Sequence, residues 1–240
     1  EGIGKSGWLG RTIKELDPRA ENVLTGVNFG RGLPRALSCK GVPVASVGDL
    51  ETYGLLPDIK EQSARKLALK AFSQIYGGAM AHDAVSQFIG QTGTDALKGA
   101  DILRSAPQQY SSSIEYADNP IAQNMKAIAQ VMTADLGTRV YYTLHGSFDT
   151  HAGELSAHSK LWDDVSGAIG DFMDDLEEQG LADDTVVLMY SEFGRRIRDN
   201  GAGTDHGSGG TAFVVGGAVR GGLYGEFPSL DEDKQLEGDM

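Results

Sequence analysis

Residues 139–190 contain the pattern that decides the fold. They read RVYYTLHGSFDTHAGELSAHSKLWDDVSGAIGDFMDDLEEQGLADDTVVLMY. Arg139–Leu144 and Thr185–Tyr190 are short runs of β-branched and aromatic residues, which predict two strands. Between them, residues 153–179 carry apolar side chains at spacings of three, four and seven, which predicts one amphipathic helix. That apolar face consists of Leu155, Trp162, Val165, Ile169, Phe172, Met173 and Leu176. A strand, a helix and a strand at this spacing predict a βαβ unit with parallel strands and a right-handed crossover.

The flanking sequence extends this unit into an α/β fold with a mainly parallel sheet. Val42–Val47 and Thr211–Val215 predict further strands, while residues 48–136 show mostly helical periodicity. We interpret residues 48–136 as a helical insertion or cap and residues 137–230 as the core βαβ segment with the candidate metal site. The chain begins at Glu1 rather than Met, and we therefore expect residues 1–240 to form one partial domain, a fragment of the full fold.

Charge and cysteine content exclude several classes of function. The 240 residues carry a formal net charge of -13, whereas a nucleic-acid partner requires a basic surface to neutralise phosphates. Cys39 is the single cysteine, which excludes an internal disulfide framework and a multi-cysteine zinc site. Apolar runs in the sequence stay short of the roughly 20 residues that span a bilayer, so we expect no membrane span.

Acidic residues on the predicted long helix are interpreted as a solvated face. This set comprises Asp163, Asp164, Asp171, Asp174 and Asp175.

A phosphate loop for nucleotides is an alternative interpretation of the first residues. Gly4-Lys5-Ser6 matches the end of such a loop, but the complete motif needs an earlier glycine, a preceding strand and a following helix. Nucleotide binding therefore stays a minor hypothesis.

Acidic and imidazole side chains follow each predicted strand of the core. Asp149 and His151 follow the first strand, Glu192 follows the second, and Asp205 and His206 lie in the Gly-rich loop 201–210 before the third. Ligands of open parallel sheets bind beyond the carboxyl ends of the strands, so we expect these five side chains to converge. Carboxylate oxygens and imidazole nitrogens suit Zn, Mn or Fe, and the sequence predicts a divalent metal, Zn or Mn, at this edge. Each residue alone also fits a hydrogen-bonded turn.

Two further residues are candidates for binding substrate. Arg195 offers a planar fork that matches an anion, and its alternatives are an ion pair with Glu192 or a solvated surface position. His145 ends the first strand and is either a further site residue or a packed loop histidine. His158, within the long helix, is interpreted as structural.

Three ordered motifs resemble one bacterial family. Phe148-Asp149-Thr150-His151, Ser191-Glu192-Phe193-Gly194-Arg195-Arg196 and Gly203-Thr204-Asp205-His206-Gly207 resemble the signatures of domain of unknown function 1501, which is described as sulfatase-like. The stretches 7–11 and 216–225 look like that family too. The family is grouped with the alkaline phosphatase superfamily, so the resemblance implies an alkaline phosphatase/sulfatase-like fold and a two-metal site with a Ser or Thr nucleophile.

The resemblance also implies roles for individual residues. Asp149 and His151 look like a ligand pair after one core strand, and His206 looks like the late histidine ligand. Glu192 stands where the superfamily has Asp, but Phe193 replaces the adjacent histidine and cannot bind metal. The nucleophile is unknown, and we expect it upstream of Glu1. Members of the family often carry twin-arginine export signals, which implies a periplasmic or extracytoplasmic protein.

Two functions are compatible with these features. The first is an exported metal-dependent hydrolase of phosphate or sulfate esters, with a small anionic ester as substrate. The alternative is a non-catalytic periplasmic or surface binding protein that retains the sulfatase-like fold, which Phe193 favours. The sequence leaves the oligomeric state open.

Overall fold

The computed structural model describes residues 6–50, 52–53, 61–76, 84–226, 229 and 231. Gly4 and Lys5 of the possible phosphate loop lie outside the described residues. The helices are α1 (Trp8–Leu16), α2 (Gln62–Tyr76), α3 (Ala84–Leu103), α4 (Ala106–Gln109), α5 (Pro120–Thr133) and α6 (Glu154–Glu178). The strands are β1 (Gly26–Phe29), β2 (Ala45–Val47), β3 (Val140–Thr143), β4 (Val187–Met189), β5 (Gly194–Asp199), β6 (Thr204–Gly207) and β7 (Phe213–Val215).

The chain forms two compact units. Unit 1 comprises Glu1–Ser111 and Asn124–Leu144, and unit 2 comprises Ser112–Gln123 and His145–Met240. These boundaries differ from the division at residue 136 that the sequence suggests, because most of the helical segment shares unit 1 with the parallel sheet, whereas residues 112–123 belong to unit 2. The Asn124 amide of α5, for example, donates a hydrogen bond to the Thr143 hydroxyl of β3 at 2.9 Å. Among the described residues of the segment 48–136, α2 to α5 are helical, and its role as an insertion or cap stays a prediction.

A three-stranded parallel sheet lies at the centre of unit 1. Its order is β2-β1-β3, with Val27 opposite both Ala45 and Tyr141. All four residues of β1 are buried, as expected for a central strand covered on both faces. The parallel sheet confirms the predicted α/β class and the predicted strands at 42–47 and 139–144.

The central strand β1 and the first helix α1 are not predicted by the sequence pattern. Gly26-Val27-Asn28-Phe29 is short and contains two residues that strands disfavour. Burial overrides this weak propensity, because Val27 is fully buried and the Asn28 amide donates to the Gly32 carbonyl at 2.8 Å.

In unit 2 the long helix α6 spans 25 residues, Glu154–Glu178, close to the predicted 153–179. It begins after Gly153 and ends before Gly180, whose φ of 71° is the left-handed conformation that closes helices. Val165, Phe172 and Leu176 of the predicted apolar face are buried, whereas Leu155 is exposed. Among the described residues, no helix combines the length and apolar character needed to cross a membrane.

One acidic residue of α6 contradicts the interpretation of a solvated face. Asp175 is fully buried, and the Tyr116 hydroxyl donates a hydrogen bond to its carboxylate at 2.7 Å. Asp164 is also largely covered and contacts the Lys160 ammonium. The helical period places Asp175 next to Leu176, at the boundary of the apolar face. There the hydrogen bond from the Tyr116 hydroxyl makes burial of the carboxylate possible.

Two small antiparallel sheets complete unit 2. Strand β4 pairs with β7, and β5 pairs with β6. The sequence predicts β3 and β4 as parallel neighbours, but β3 pairs with β1 and β4 pairs with β7. Local patterning identifies strands but does not specify their partners, because hydrogen-bonding edges are alike for every strand. Residues 204–207, within the Gly-rich segment 201–210 that the sequence predicts as a loop, form β6, which pairs with β5 in a hairpin.

Candidate metal centre

The loop that follows β3 is fixed by one aromatic side chain. The Phe148 ring makes edge contacts with His158 at 5.6 Å and Trp162 at 5.5 Å between ring centroids. Ser147 before it has a φ of 73°, a turn conformation that is unusual for a residue with a Cβ. The anchored ring holds the loop on α6, so that the next residue, Asp149, is exposed.

Asp149, His151 and His206 bring three potential ligand atoms together. Each offers one atom, and these atoms all lie within 4.8 Å of one another. His206 Nε2 lies 2.7 Å from Asp149 Oδ1, and His151 Nδ1 lies 3.5 Å from the same oxygen. The three side chains are 64%, 50% and 44% exposed for Asp149, His151 and His206 respectively. Residues 57 positions apart in the chain thus meet at one accessible point.

The spacing of these atoms fits a small divalent cation. Bonds of about 2.1 Å in a tetrahedral site separate ligand atoms by roughly 3.4 Å. The 3.5 Å contact already has this length, and the 2.7 Å contact is a hydrogen bond whose proton an ion would replace. One carboxylate with two imidazoles is also a common zinc ligand set with an open fourth position. The residue types and these two distances therefore fit the predicted metal, with all three ligand atoms within 4.8 Å of one another.

Asp149 is held in its ionised form. The hydrogen bond from His206 lowers the pKa of Asp149 below its ordinary value, and the nearby charges of His206, His151 and Arg195 act in the same direction. A carboxylate ligand must be deprotonated before it binds a cation, so Asp149 is ready to bind at neutral pH.

The order of the motifs around this cluster points to one family. The sequence profile of a family described as a protein of unknown function, DUF1501, matches residues 3–237. The chain belongs to the DUF1501 family. No curated protein and no solved structure gives a significant match. The match confirms the family that the motifs predict.

Two of the predicted ligands of this DUF1501 chain lie apart from the cluster. The Glu192 carboxylate is exposed and has the Ser191 hydroxyl 3.5 Å away. The Asp205 carboxylate is exposed and accepts a hydrogen bond from the Asn200 amide at 3.0 Å. Neighbouring residues of a strand alternate between its two faces, which separates Asp205 from His206. The structure brings together Asp149, His151 and His206, and Glu192 and Asp205 stay predicted ligands.

Phe193 of the DUF1501 motif supports His206 instead of binding metal. Its ring stacks on the His206 ring, with 3.9 Å between centroids and 10° between planes. The Arg195 guanidinium lies 5.2 Å from the centroid of the Phe193 ring. Phe193 thus fixes the plane of the imidazole that contacts Asp149.

Arg195 connects the metal-side loop to the hairpin. One terminal nitrogen donates to the carbonyls of Thr150 and Thr204, and the other donates to the carbonyl of Phe148. The sequence predicts that Arg195 binds an anionic substrate, whereas the structure shows its terminal nitrogens on backbone oxygens.

Glu154 and Thr204 form a second connection that the sequence analysis missed. The Thr204 backbone amide donates to Glu154 Oε2 at 2.6 Å, and the Thr204 hydroxyl donates to the same oxygen at 2.8 Å. Burial raises the pKa of Glu154, but the Thr204 hydrogen bonds, Arg195 and His158 outweigh it, and the net pKa lies below the ordinary value. No local pattern marks a pair that is 50 residues apart.

Two motif glycines allow close backbone approaches in this region. A Cβ on Gly194 would lie 1.3 Å from the Gly209 carbonyl oxygen, which no side chain tolerates. A Cβ on Gly203 would lie 2.9 Å from Glu154 Oε2 and 3.0 Å from the backbone carbonyl carbon of His151. These approaches explain glycine at both positions of the motifs.

The other two histidines that the structure describes, His145 and His158, occupy half-buried positions. His145 Nε2 is buried without a hydrogen-bond partner, and burial lowers the pKa of His145. Its role in substrate binding stays a prediction. His158 Nε2 contacts the Thr150 hydroxyl at 2.9 Å and the Phe148 carbonyl at 3.3 Å, in agreement with a structural role.

Proposed function

We propose that this DUF1501 protein binds a divalent metal ion, Zn or Mn, through Asp149, His151 and His206. We propose further that it uses the site to hydrolyse phosphate or sulfate esters outside the cytoplasm. The observation that carries the proposal is the convergence of one carboxylate and two imidazoles within 4.8 Å. Its exposure gives a substrate direct access.

Each residue of the site would have a separate role in binding the ion. Asp149 supplies the negative charge of the ligand set, and the imidazoles of His151 and His206 supply neutral nitrogen ligands. Three protein ligands leave a coordination position open, as in catalytic sites. When bound, the ion would stabilise negative charge that develops on the ester oxygens. Phe193 keeps the His206 ring in the ligand orientation.

The proposed reaction class and location rest on the family resemblance. Kinship with the alkaline phosphatase superfamily supports phosphate or sulfate esters as substrates, and the twin-arginine signals of the family support export to the periplasm. An alkaline phosphatase-like arrangement of the full fold is part of the same proposal. Glu192 and Asp205 are proposed as additional ligands on the same grounds, and His145 as a substrate contact.

A non-catalytic binding protein is the second candidate. The exposure of all three ligands favours it, because catalytic metals commonly lie in a shaped cavity that excludes water. In that case the metal would hold an anionic group of a partner without cleaving it. Metal binding without ester hydrolysis by the intact protein distinguishes this candidate from the hydrolase.

Metal content and ester hydrolysis test the proposal together. The intact protein is loaded with Zn or Mn, the bound metal is quantified by mass spectrometry, and hydrolysis of nitrophenyl phosphate and nitrophenyl sulfate is measured. The variant with His151→Ala and His206→Ala should lose the metal and the activity. Asp149→Asn should act likewise.

Asp174→Asn is the matched control, because Asp174 is an exposed carboxylate on α6 outside the cluster. Variants of Glu192 and Asp205 measure any contribution of these residues to metal binding. A wild-type protein that retains no metal, or a double histidine variant that binds it as tightly as Asp174→Asn does, would refute the proposed function.

A further inference from the structure

We propose that Arg195 is a positioning residue that locks the Asp149–His151 loop onto the strand bearing His206, instead of a residue that binds substrate. The inference rests on the proposed metal site, because it explains how that site keeps its geometry. It replaces the anion-binding role that the sequence suggests.

The terminal nitrogens of Arg195 donate their hydrogen bonds to the protein itself. A guanidinium has five N–H groups in a fixed plane. One terminal nitrogen donates to two carbonyls, and the other donates to the Phe148 carbonyl and lies 3.4 Å from the Thr150 hydroxyl. Nε lies 3.9 Å from the Glu154 carboxylate. Both terminal nitrogens are thus bonded to protein oxygens, and Nε lies on the side of the Glu154 carboxylate.

The accepting carbonyls lie next to the ligands in the chain. Phe148 and Thr150 flank Asp149, and Thr150 also precedes His151, so one guanidinium holds the backbone on both sides of the carboxylate ligand. The third carbonyl, that of Thr204, lies on β6 two positions before His206. Two segments without mutual strand pairing are thereby held together at the point where their side chains meet.

The Arg195 guanidinium also faces the Glu154 carboxylate. The side chains of Arg195 and Glu154 are 19% and 16% exposed, so their opposite charges face each other with limited solvent screening. Glu154 also accepts the hydrogen bonds from Thr204. Arg195 and Glu154 therefore constrain the same strand, β6, from two directions.

Lysine cannot replace this arrangement. An ammonium group has three donors around one nitrogen, whereas the accepting carbonyls are spread across the edge of a planar fork. The proposal thus predicts that charge alone does not restore the geometry. An anion-binding role would predict partial rescue by lysine, since a point charge still attracts an anion.

Two measurements on the intact chain test the role. In protein labelled with ¹⁵N-histidine and free of metal, ring ¹H–¹⁵N correlations report the contact between His206 Nε2 and Asp149. Calorimetry reports the affinity for zinc. Arg195→Gln and Arg195→Lys should both shift the His206 ring nitrogens and weaken zinc binding about 10–100-fold, the usual effect of losing support around a ligand.

Arg220→Gln and Arg220→Lys are the controls, because Arg220 is an exposed arginine of the same unit and they make the same chemical changes. They should leave the His206 ring nitrogens and the zinc affinity at wild-type values. Thermal unfolding of every variant separates a change at the site from a loss of folded protein. If Arg195→Gln does not fold, Arg195→Lys and Glu154→Gln carry the test, with the same expected shift of the His206 signals.

The two proposals fail in different ways. A wild-type protein without affinity for zinc or manganese, whose His206 signals still respond to Arg195→Lys, refutes the metal site and retains the positioning role. A zinc-binding protein whose Arg195 variants match the Arg220 variants in both measurements refutes the positioning role and retains the metal site.

Discussion

The parallel sheet around β1 and the β5–β6 hairpin are built by different forces. Every residue of Gly26–Phe29 is buried, so apolar surface removed from water stabilises this strand. In the hairpin, Arg196–Asp199 are exposed, and the contacts that fix it are polar. They run from Arg195 and Glu154 to backbone groups.

The more stable region and the region with the candidate metal ligand are therefore different parts of the molecule. A buried apolar strand resists local opening, whereas a region held by a few part-exposed hydrogen bonds opens at lower free energy. The candidate metal ligand His206 lies on the second kind of structure. We expect a bound metal ion to stabilise this hairpin further.

Truncation of core side chains should show the largest contrast. Phe29→Ala removes a ring that is 2% exposed, and the expected loss in the free energy of unfolding is about 3–5 kcal/mol. Ile197→Ala removes a side chain of β5 that is 38% exposed, with an expected loss below about 1 kcal/mol. Urea unfolding measures both values. Equal losses would show that the hairpin has an apolar core of its own.

Zinc binding should reduce the difference in stability between the hairpin and the parallel sheet. A ligand present at 100 times its dissociation constant stabilises the folded state by about 2.7 kcal/mol. Hydrogen exchange should show this protection in the amides of residues 194–207 and much less in those of residues 26–29. Asp149→Asn should abolish the effect and Asp174→Asn should keep it. Protection spread evenly over both regions would contradict a local site.

The sequence predicts the elements with strong periodicity well. The apolar spacing along Glu154–Glu178 predicts α6 nearly to the residue, and β-branched runs predict β2, β3, β4 and β7. These signals are local, since each side chain reports its own face of the helix or strand. The candidate ligands Asp149, His151 and His206 were found because their residue types and the family motifs mark them directly.

The partners of these elements could not be predicted in the same way. β1 has too few apolar residues to be recognised, yet it lies at the centre of the sheet because it pairs with both β2 and β3. The roles of Glu154 and Thr204 depend on a contact across 50 positions, which no pattern in either segment encodes. Arg195 has the right chemistry for an anion, but its surroundings direct that chemistry to carbonyl oxygens.

Loss of a single polar contact should weaken the hairpin moderately. Thr204→Val keeps the backbone hydrogen bond to Glu154 and removes the hydroxyl donor, which lies 2.8 Å from Oε2. The expected loss in the free energy of unfolding is about 1 kcal/mol, measured by urea unfolding at neutral pH. Thr211→Val, at an exposed position before β7, should change stability by less than about 0.5 kcal/mol. Similar values for the two variants would show that the Thr204 hydroxyl contributes nothing measurable to the hold of Glu154 on β6.

Titration of Asp149 should give the smallest effect and the most specific one. The hydrogen bond from His206 lowers the pKa of Asp149 in the folded, metal-free protein. A depressed folded-state pKa contributes stability above the ordinary carboxyl pKa of about 3.9, and this contribution is lost as the pH falls through the lower folded value. Carboxyl-detected NMR should place the Asp149 midpoint below the ordinary value, and His206→Ala should move it upward.

Asp17 is the internal control, because backbone hydrogen bonds from Asn22 and Glu21 lower its pKa without any contribution from His206. If the Asp149 midpoint stays unchanged in His206→Ala, the pairing of these two side chains, on which the proposed metal site depends, is absent in solution.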